Sequence, residues 1–302
     1  MKKLKFIQQT FSVHLFETND SPFVLSSWKL IKSIKADSSF IKNNPVEIVA
    51  DPFLFVHDEC LYVFYEKQIS INNGVIEMVK TEDTINWTKP ITILKRNTHL
   101  SYPFVFKDSN GIFMIPETSI NKNIQLYKAN QNLSEWCFEK EILKGDVYTD
   151  SSIFFYDNVY YLFTTTKQNK DYQLHLFFSE NLYGEFEEHP KSPVTTGNSV
   201  GRCGGAIFEF ENQLYRPAQV CENYYGESLS IFNIKILSTK DYQEEIKIDR
   251  LLTKQFKNGG HHFNIAKFNN KLIIASDAVN FTFNFFAFYD RVVKYIKKVI
   301  KR

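Results

Sequence analysis

The chain has 302 residues, 43% of them hydrophobic and 16% aromatic, with 29 Phe and 16 Tyr. That is enough apolar surface for a sizeable core, and the aromatic bias suits pleated sheets better than helix interiors. A net charge of +2 with 23% charged residues gives no electrostatic footprint for nucleic acid, and no nucleic-acid motif is present.

From the N-terminus, Lys2 and Lys3 resemble the start of a secretory leader. Gln8, Gln9, Thr10 and His14 then break the apolar run that a leader needs. No stretch of about 18 uninterrupted apolar residues follows, so a cytoplasmic location is expected. Residues 1–22 are read as a segment outside the main domain, and Phe23 to Ile34 as a strand completing it. The cysteines Cys60, Cys137, Cys203 and Cys221 are far apart. They suit reduced thiols rather than a disulfide framework or a structural zinc.

Five times the chain then repeats a polar or Gly/Pro opening, an apolar strand, a turn and an aromatic-rich strand. The openings are Ala50-Asp51-Pro52-Phe53, Tyr102-Pro103-Phe104, Asp150-Ser151-Ser152, Gly204-Gly205-Ala206 and His262-Phe263-Asn264. The turns carry Asp58, Asn110-Gly111, Asp157-Asn158, Glu211-Asn212 and Asn269-Asn270, residues that tolerate left-handed backbone and close hairpins. A spacing near 50 residues is what one four-stranded blade needs. The expected fold is all-β, a five-bladed β-propeller over 23–284. The tail 285–302 departs from the pattern. Phe285, Tyr289, Val292, Ile296 and Val299 recur at helical spacing, with six basic residues against Asp290 alone. This predicts a basic amphipathic helix that lies on an anionic membrane surface.

In a propeller the first strand of each blade lines the central channel. Asp51, Tyr102, Asp150, Arg202 with Gly204, and His261 with His262 are therefore expected to converge at one end of it. Buried carboxylates need partners, so this convergence marks the candidate site. No metal or other cofactor is expected, because adjacent His261 and His262 would point to opposite faces of a strand.

Ala50-Asp51-Pro52-Phe53, Asn86-Trp87 and Thr149-Asp150-Ser151-Ser152 resemble the five-bladed propellers of glycoside hydrolase family 43. Tyr102-Pro103, Pro116-Glu117, Gly201-Arg202-Cys203-Gly204-Gly205, Arg216-Pro217-Ala218-Gln219 and His261-His262-Phe263-Asn264 extend a closer resemblance. It is to the N-terminal domain of glucosamine inositolphosphorylceramide transferases. The family 43 resemblance implies Asp51 as general base, Asp150 as a residue tuning the acid, and a glutamate opening the fourth blade as general acid. Here that blade opens on Gly201-Arg202-Cys203 and has no acid, which leaves Glu117 or Glu66 for the role. Arg202, Arg216, His261 and His262, with Tyr102, Gln219 and Asn264, would surround a floor of Gly204 and Gly205. Such a floor suits a phosphate. The expected activity is glycosyl transfer from an activated sugar phosphate donor to a glycan or glycolipid acceptor. A glycosidase or phosphorylase and a non-catalytic glycan-binding propeller are the alternatives.

Overall fold

The computed structural model describes residues 7–35, 48–70 and 73–283. They form five antiparallel sheets, the blades of a propeller. The first blade contains Ile48–His57, Cys60–Ser70, Asn73–Thr81 and Ile91–Leu94; the second contains Ser101–Asp108, Gly111–Glu117, Asn123–Ala129 and Trp136–Lys144. In the third, Thr149–Tyr156, Val159–Gln168 and Asp171–Ser179 are edged by two short strands. In the fourth, Arg202–Cys203 and Phe208–Phe210 both pair with Gln213–Val220, followed by Ser228–Leu237 and Tyr242–Ile248.

The fifth blade closes the ring. Its inner strands Phe263–Phe268 and Lys271–Phe283 are joined by Ile7–Thr18 and then Lys29–Lys35, so the two ends of the described chain share one sheet. Residues 7–18, inside the segment 1–22 read as separate, thus belong to the fifth blade, and the propeller begins before residue 23. Gln9, Thr10 and His14 interrupt an apolar run but not a strand. Phe11, Val13 and Leu15 are at most 3% exposed on alternate positions, the period a strand needs. The strand at Lys29–Lys35 overlaps the segment Phe23 to Ile34 expected to complete the blade and runs one residue past it. The amphipathic helix predicted over 285–302 lies outside the described residues. Among those described, no helix is long and apolar enough to cross a membrane.

Two local devices position the site. Four hairpins turn through paired left-handed residues, Asp58/Glu59, Asp157/Asn158, Glu211/Asn212 and Asn269/Asn270, a geometry matched to the twist of the flanking strands. The inner strands of blades one to three each carry a bulge at the channel end, between Ala50 and Phe53, Ser101 and Phe104, and Thr149 and Ser152. At each bulge one residue is left-handed: Asp51 at φ 53°, Tyr102 at 47° and Asp150 at 52°. Strain at non-glycine residues persists only where the surroundings enforce it. Around the bulges Phe53, Phe64, Phe113 and Phe163 are at most 1% exposed, each ring contributing about 1.5–3 kcal/mol by burial.

Candidate functional site

The bulged openings surround a cavity of about 240 Å³ whose walls include Asp51, Glu66, Glu117, Asp150, Arg202 and His261. Phe11, His99 and Tyr225 complete its sides. Two layers of the blades build it. The first layer is the strand openings, as expected. The second is the ends of the second strands, where Glu66 pairs with Ala50 and Glu117 with Ser101 across the hairpins. Glu66 and Glu117 therefore reach the cavity from positions that look remote from the axis.

Asp51 sits at the centre of a buried network. Its Oδ1 is 3.2 Å from His261 Nε2, while His261 Nδ1 is 3.0 Å from Asp277 Oδ2. Asp277 is fully buried. Its Oδ1 accepts the backbone N–H groups of His261 at 2.7 Å and His262 at 3.2 Å, and its Oδ2 accepts that of Asp51 at 3.3 Å. Asp51 Oδ2 in turn accepts the Tyr102 N–H at 3.2 Å, tying blades five, one and two together. Burial opposes charge on His261, but Asp277 and Asp51 outweigh it and push the imidazole well above its ordinary value. Burial likewise opposes ionised Asp51. The His261 hydrogen bond and charge, with the charge of Arg202, nevertheless pull its carboxyl down to about 2.

The other acids go the opposite way. Burial and the neighbouring Asp150 charge push Glu117 up to about 7, against Arg202 and a 2.7 Å hydrogen bond from Ser119 Oγ. Burial, then the charges of Asp51 and Glu117, push Glu66 well above the usual carboxylate range. Burial raises Asp150 as well, although Arg202 Nε donates to its Oδ2 at 2.6 Å. One carboxylate held ionised beside another held protonated near neutrality is the division of labour that acid–base chemistry at a glycosidic centre requires.

The expected residues separate into those that reach the cavity and those that do not. Arg202 reaches it, held by Asp150 and stacked between Tyr172 and Tyr225, its guanidinium carbon 5.1 and 4.8 Å from their ring centroids. Gln219 supports this pair from behind, donating to Asp150 Oδ2 at 3.2 Å and to the Cys203 carbonyl at 2.7 Å. Asn264 is also a support, accepting the Leu54 N–H at 2.9 Å. Tyr102 is fully buried, and its ring packs edge-on against Phe53 and His262.

Three phosphate-binding expectations are corrected. Arg216 is fully buried and clasped by Glu244, Nε to Oε2 at 2.7 Å and Nη2 to Oε1 at 2.6 Å, away from the cavity. His262 is fully buried against Phe53, and burial lowers its pKa to about 4, so it brings no charge. Gly204 and Gly205 form no open floor. A Cβ on Gly205 would lie 1.9 Å from the Phe263 carbonyl oxygen, and one on Gly204 2.7 Å from Leu229. Gly205 lets blades four and five touch, and Gly204 makes room for packing within blade four.

Asp277, His99 and Tyr225 were missed. The same sequence separation recurs from Asp51 to Glu66, Tyr102 to Glu117, Asp150 to Thr165 and His262 to Asp277. It is the hairpin register read off the chain, and it would have found the second layer.

A family model for "Glucosamine inositolphosphorylceramide transferase 1, N-terminal" matches residues 11–276. The chain is 36% identical over 208 residues to a protein of Oryza sativa subsp. japonica named Glucosamine inositolphosphorylceramide transferase 1, covering 66% of this chain and 28% of that protein. The Arabidopsis thaliana protein of the same name is 31% identical over 279 residues, 83% of this chain and 36% of its own length. The chain thus spans about a third of the length of these relatives. Among solved structures, a family 117 glycoside hydrolase of Zobellia galactanivorans superposes with a TM-score of 0.57 at 15% identity, over 80% of this chain and 87% of that one. A family 43 protein of Bacillus licheniformis gives 0.56 at 17%, over 74% and 48%. At these identities the likeness establishes the fold, a five-bladed propeller. The matched blades, the ordered motifs and the relatives together place the chain in the family of the glucosamine inositolphosphorylceramide transferase 1 N-terminal domain.

Proposed function

We propose that the funnel is a glycosyl-transfer site acting on a glycolipid acceptor. The observation that carries this reading is the opposed protonation of two groups on one cavity, Asp51 held near 2 and Glu117 near 7. Asp51 takes the proton from an acceptor hydroxyl, and Glu117 gives its proton to the departing oxygen. If the donor is an activated sugar phosphate, that proton removes one negative charge from a group leaving an acid-rich funnel. A cavity of about 240 Å³, below the ~300–1,000 Å³ of drug-sized sites, suits one sugar ring. The relatives' name supports the substrate class, a glucosamine unit and an inositolphosphorylceramide.

Glu117 favours a second reading, hydrolysis, because it supplies the proton donor that the fourth blade lacks. Water then replaces the acceptor, and the roles of Asp51 and Glu117 stay the same.

The test is incubation of the protein with nucleotide sugars, with and without an inositol-phosphate glycolipid, followed by mass spectrometry. Transfer should require both substrates and disappear in Asp51→Asn, with donor binding retained in thermal-shift assays. Free sugar without acceptor selects hydrolysis. Glycan binding without turnover in wild type would make the propeller a binding module and sink both enzyme readings.

The basic residues of 285–302 support a place on an anionic, cytoplasmic membrane face. Undiminished sedimentation with phosphatidylserine vesicles after deletion of 285–302 would refute that placement.

A further inference from the structure

The funnel's two cations are already engaged, Arg202 by Asp150 and His261 by Asp51 and Asp277. An anionic substrate needs another partner. A second cavity, of about 350 Å³, lies against the funnel and is lined by Arg96, Thr118, Asn121, Gln125, Tyr127 and Phe138 among others.

Successive residues divide between the two cavities. His99 and Ser101 line the funnel while Thr98 and Leu100 line its neighbour, and Glu117 and Thr118 divide in the same way. The wall between them is therefore one chain thick. Topology puts both on one face of the propeller: the start of an inner strand and the end of its hairpin partner lie together, as Ser101 and Glu117 do.

The second cavity has the chemistry that the funnel lacks. Arg96 is exposed, and no carboxylate among the described residues pairs with it. Its guanidinium carbon lies 5.2 Å from the Tyr127 ring centroid. That stacking covers one face of the planar group and leaves edge N–H groups for a bidentate anion. Tyr127 is held in turn by its hydroxyl, which donates to Gln125 at 2.7 Å. Phe138, 54% exposed, stands edge-on to Tyr127 at 6.1 Å. It offers an apolar face to the C–H side of a ring.

We propose that this cavity is the acceptor subsite, holding the phosphodiester of a polyol phosphate on Arg96 while the polyol reaches across the wall toward Asp51. This rests on the glycolipid-acceptor reading above, but its test does not require turnover. Isothermal titration with glycerophosphoinositol, myo-inositol and inorganic phosphate separates the possibilities in wild type, Arg96→Gln and Phe138→Ala. Glycerophosphoinositol should bind wild type at least tenfold more tightly than either fragment. That advantage should vanish in Arg96→Gln and shrink in Phe138→Ala. Equal binding of inorganic phosphate and glycerophosphoinositol would overturn the polyol assignment. Unchanged affinity in Arg96→Gln would overturn the subsite altogether. Arg96-dependent binding in a protein with no turnover would retire the funnel mechanism and leave the subsite standing.

Discussion

Replacing Glu117 by Gln should make the protein more stable at alkaline pH and remove the proton donor proposed above. The folded carboxyl is raised from 4.5 to about 7. Between those values the folded state holds a proton that the unfolded chain has released. Wild-type stability therefore falls as pH rises through that window and stays lowered above it. Each pKa unit is worth about 1.4 kcal/mol, so the shift corresponds to about 3 kcal/mol, and to about 2–3 after allowance for partial exposure. Glutamine keeps the shape and both contacts. Its oxygen accepts the Asp150 N–H in place of Oε2, and its amide donates to Ser119 Oγ, a hydroxyl able to reverse roles. Urea denaturation at pH 5 and pH 8 measures the difference directly. The variant should match wild type within about 0.7 kcal/mol at pH 5 and exceed it by about 2–3 at pH 8. A variant-minus-wild-type difference that is the same at both pH values would refute the protonation argument, whatever the activity does.

Arg202→Ala leaves Asp150 buried without its cation and should cost about 3–5 kcal/mol in denaturant titrations. Adding Asp150→Asn should recover part of that loss, and no recovery would mean the pair is not the cause. Arg216→Met should lower stability through the stranded Glu244 yet leave KM unchanged per folded molecule; a tenfold rise in KM at full stability would return Arg216 to the ligand. Gly205→Ala places a Cβ against the Phe263 carbonyl at φ 149° and should cost at least about 2 kcal/mol. A thermal melt coincident with wild type would show that blades four and five can part there.

Most of the fold was legible because each blade repeats one hairpin with the same opening and the same turn chemistry. The strand at Ile7–Thr18 was not, because Thr10, Ser12 and His14 break an apolar run while alternating with the buried Phe11, Val13 and Leu15. In the site, Asp51, Asp150, Arg202 and His261 announced themselves at strand openings. Arg216 misled because it is on a second strand, where its side chain reaches past the neighbouring strand to Glu244 on the outermost one. For Asp277 the sequence offers only its separation from His262, the hairpin register shared with Glu66 and Glu117; its importance comes from three backbone donors that converge only in three dimensions.

Closure of the fifth blade has a consequence for when the site comes into being. Phe11 pairs with Val279 across nearly the whole chain, so this contact must wait for the last blade to leave the ribosome. His261 and Asp277 arrive with that blade, and Asp51 acquires its charge partner only then. Long-range pairing of this kind is slow, and it makes the polar network a chemical timestamp of completed assembly. A propeller whose fifth blade is unpaired therefore lacks the contacts that His261 and Asp277 make to Asp51.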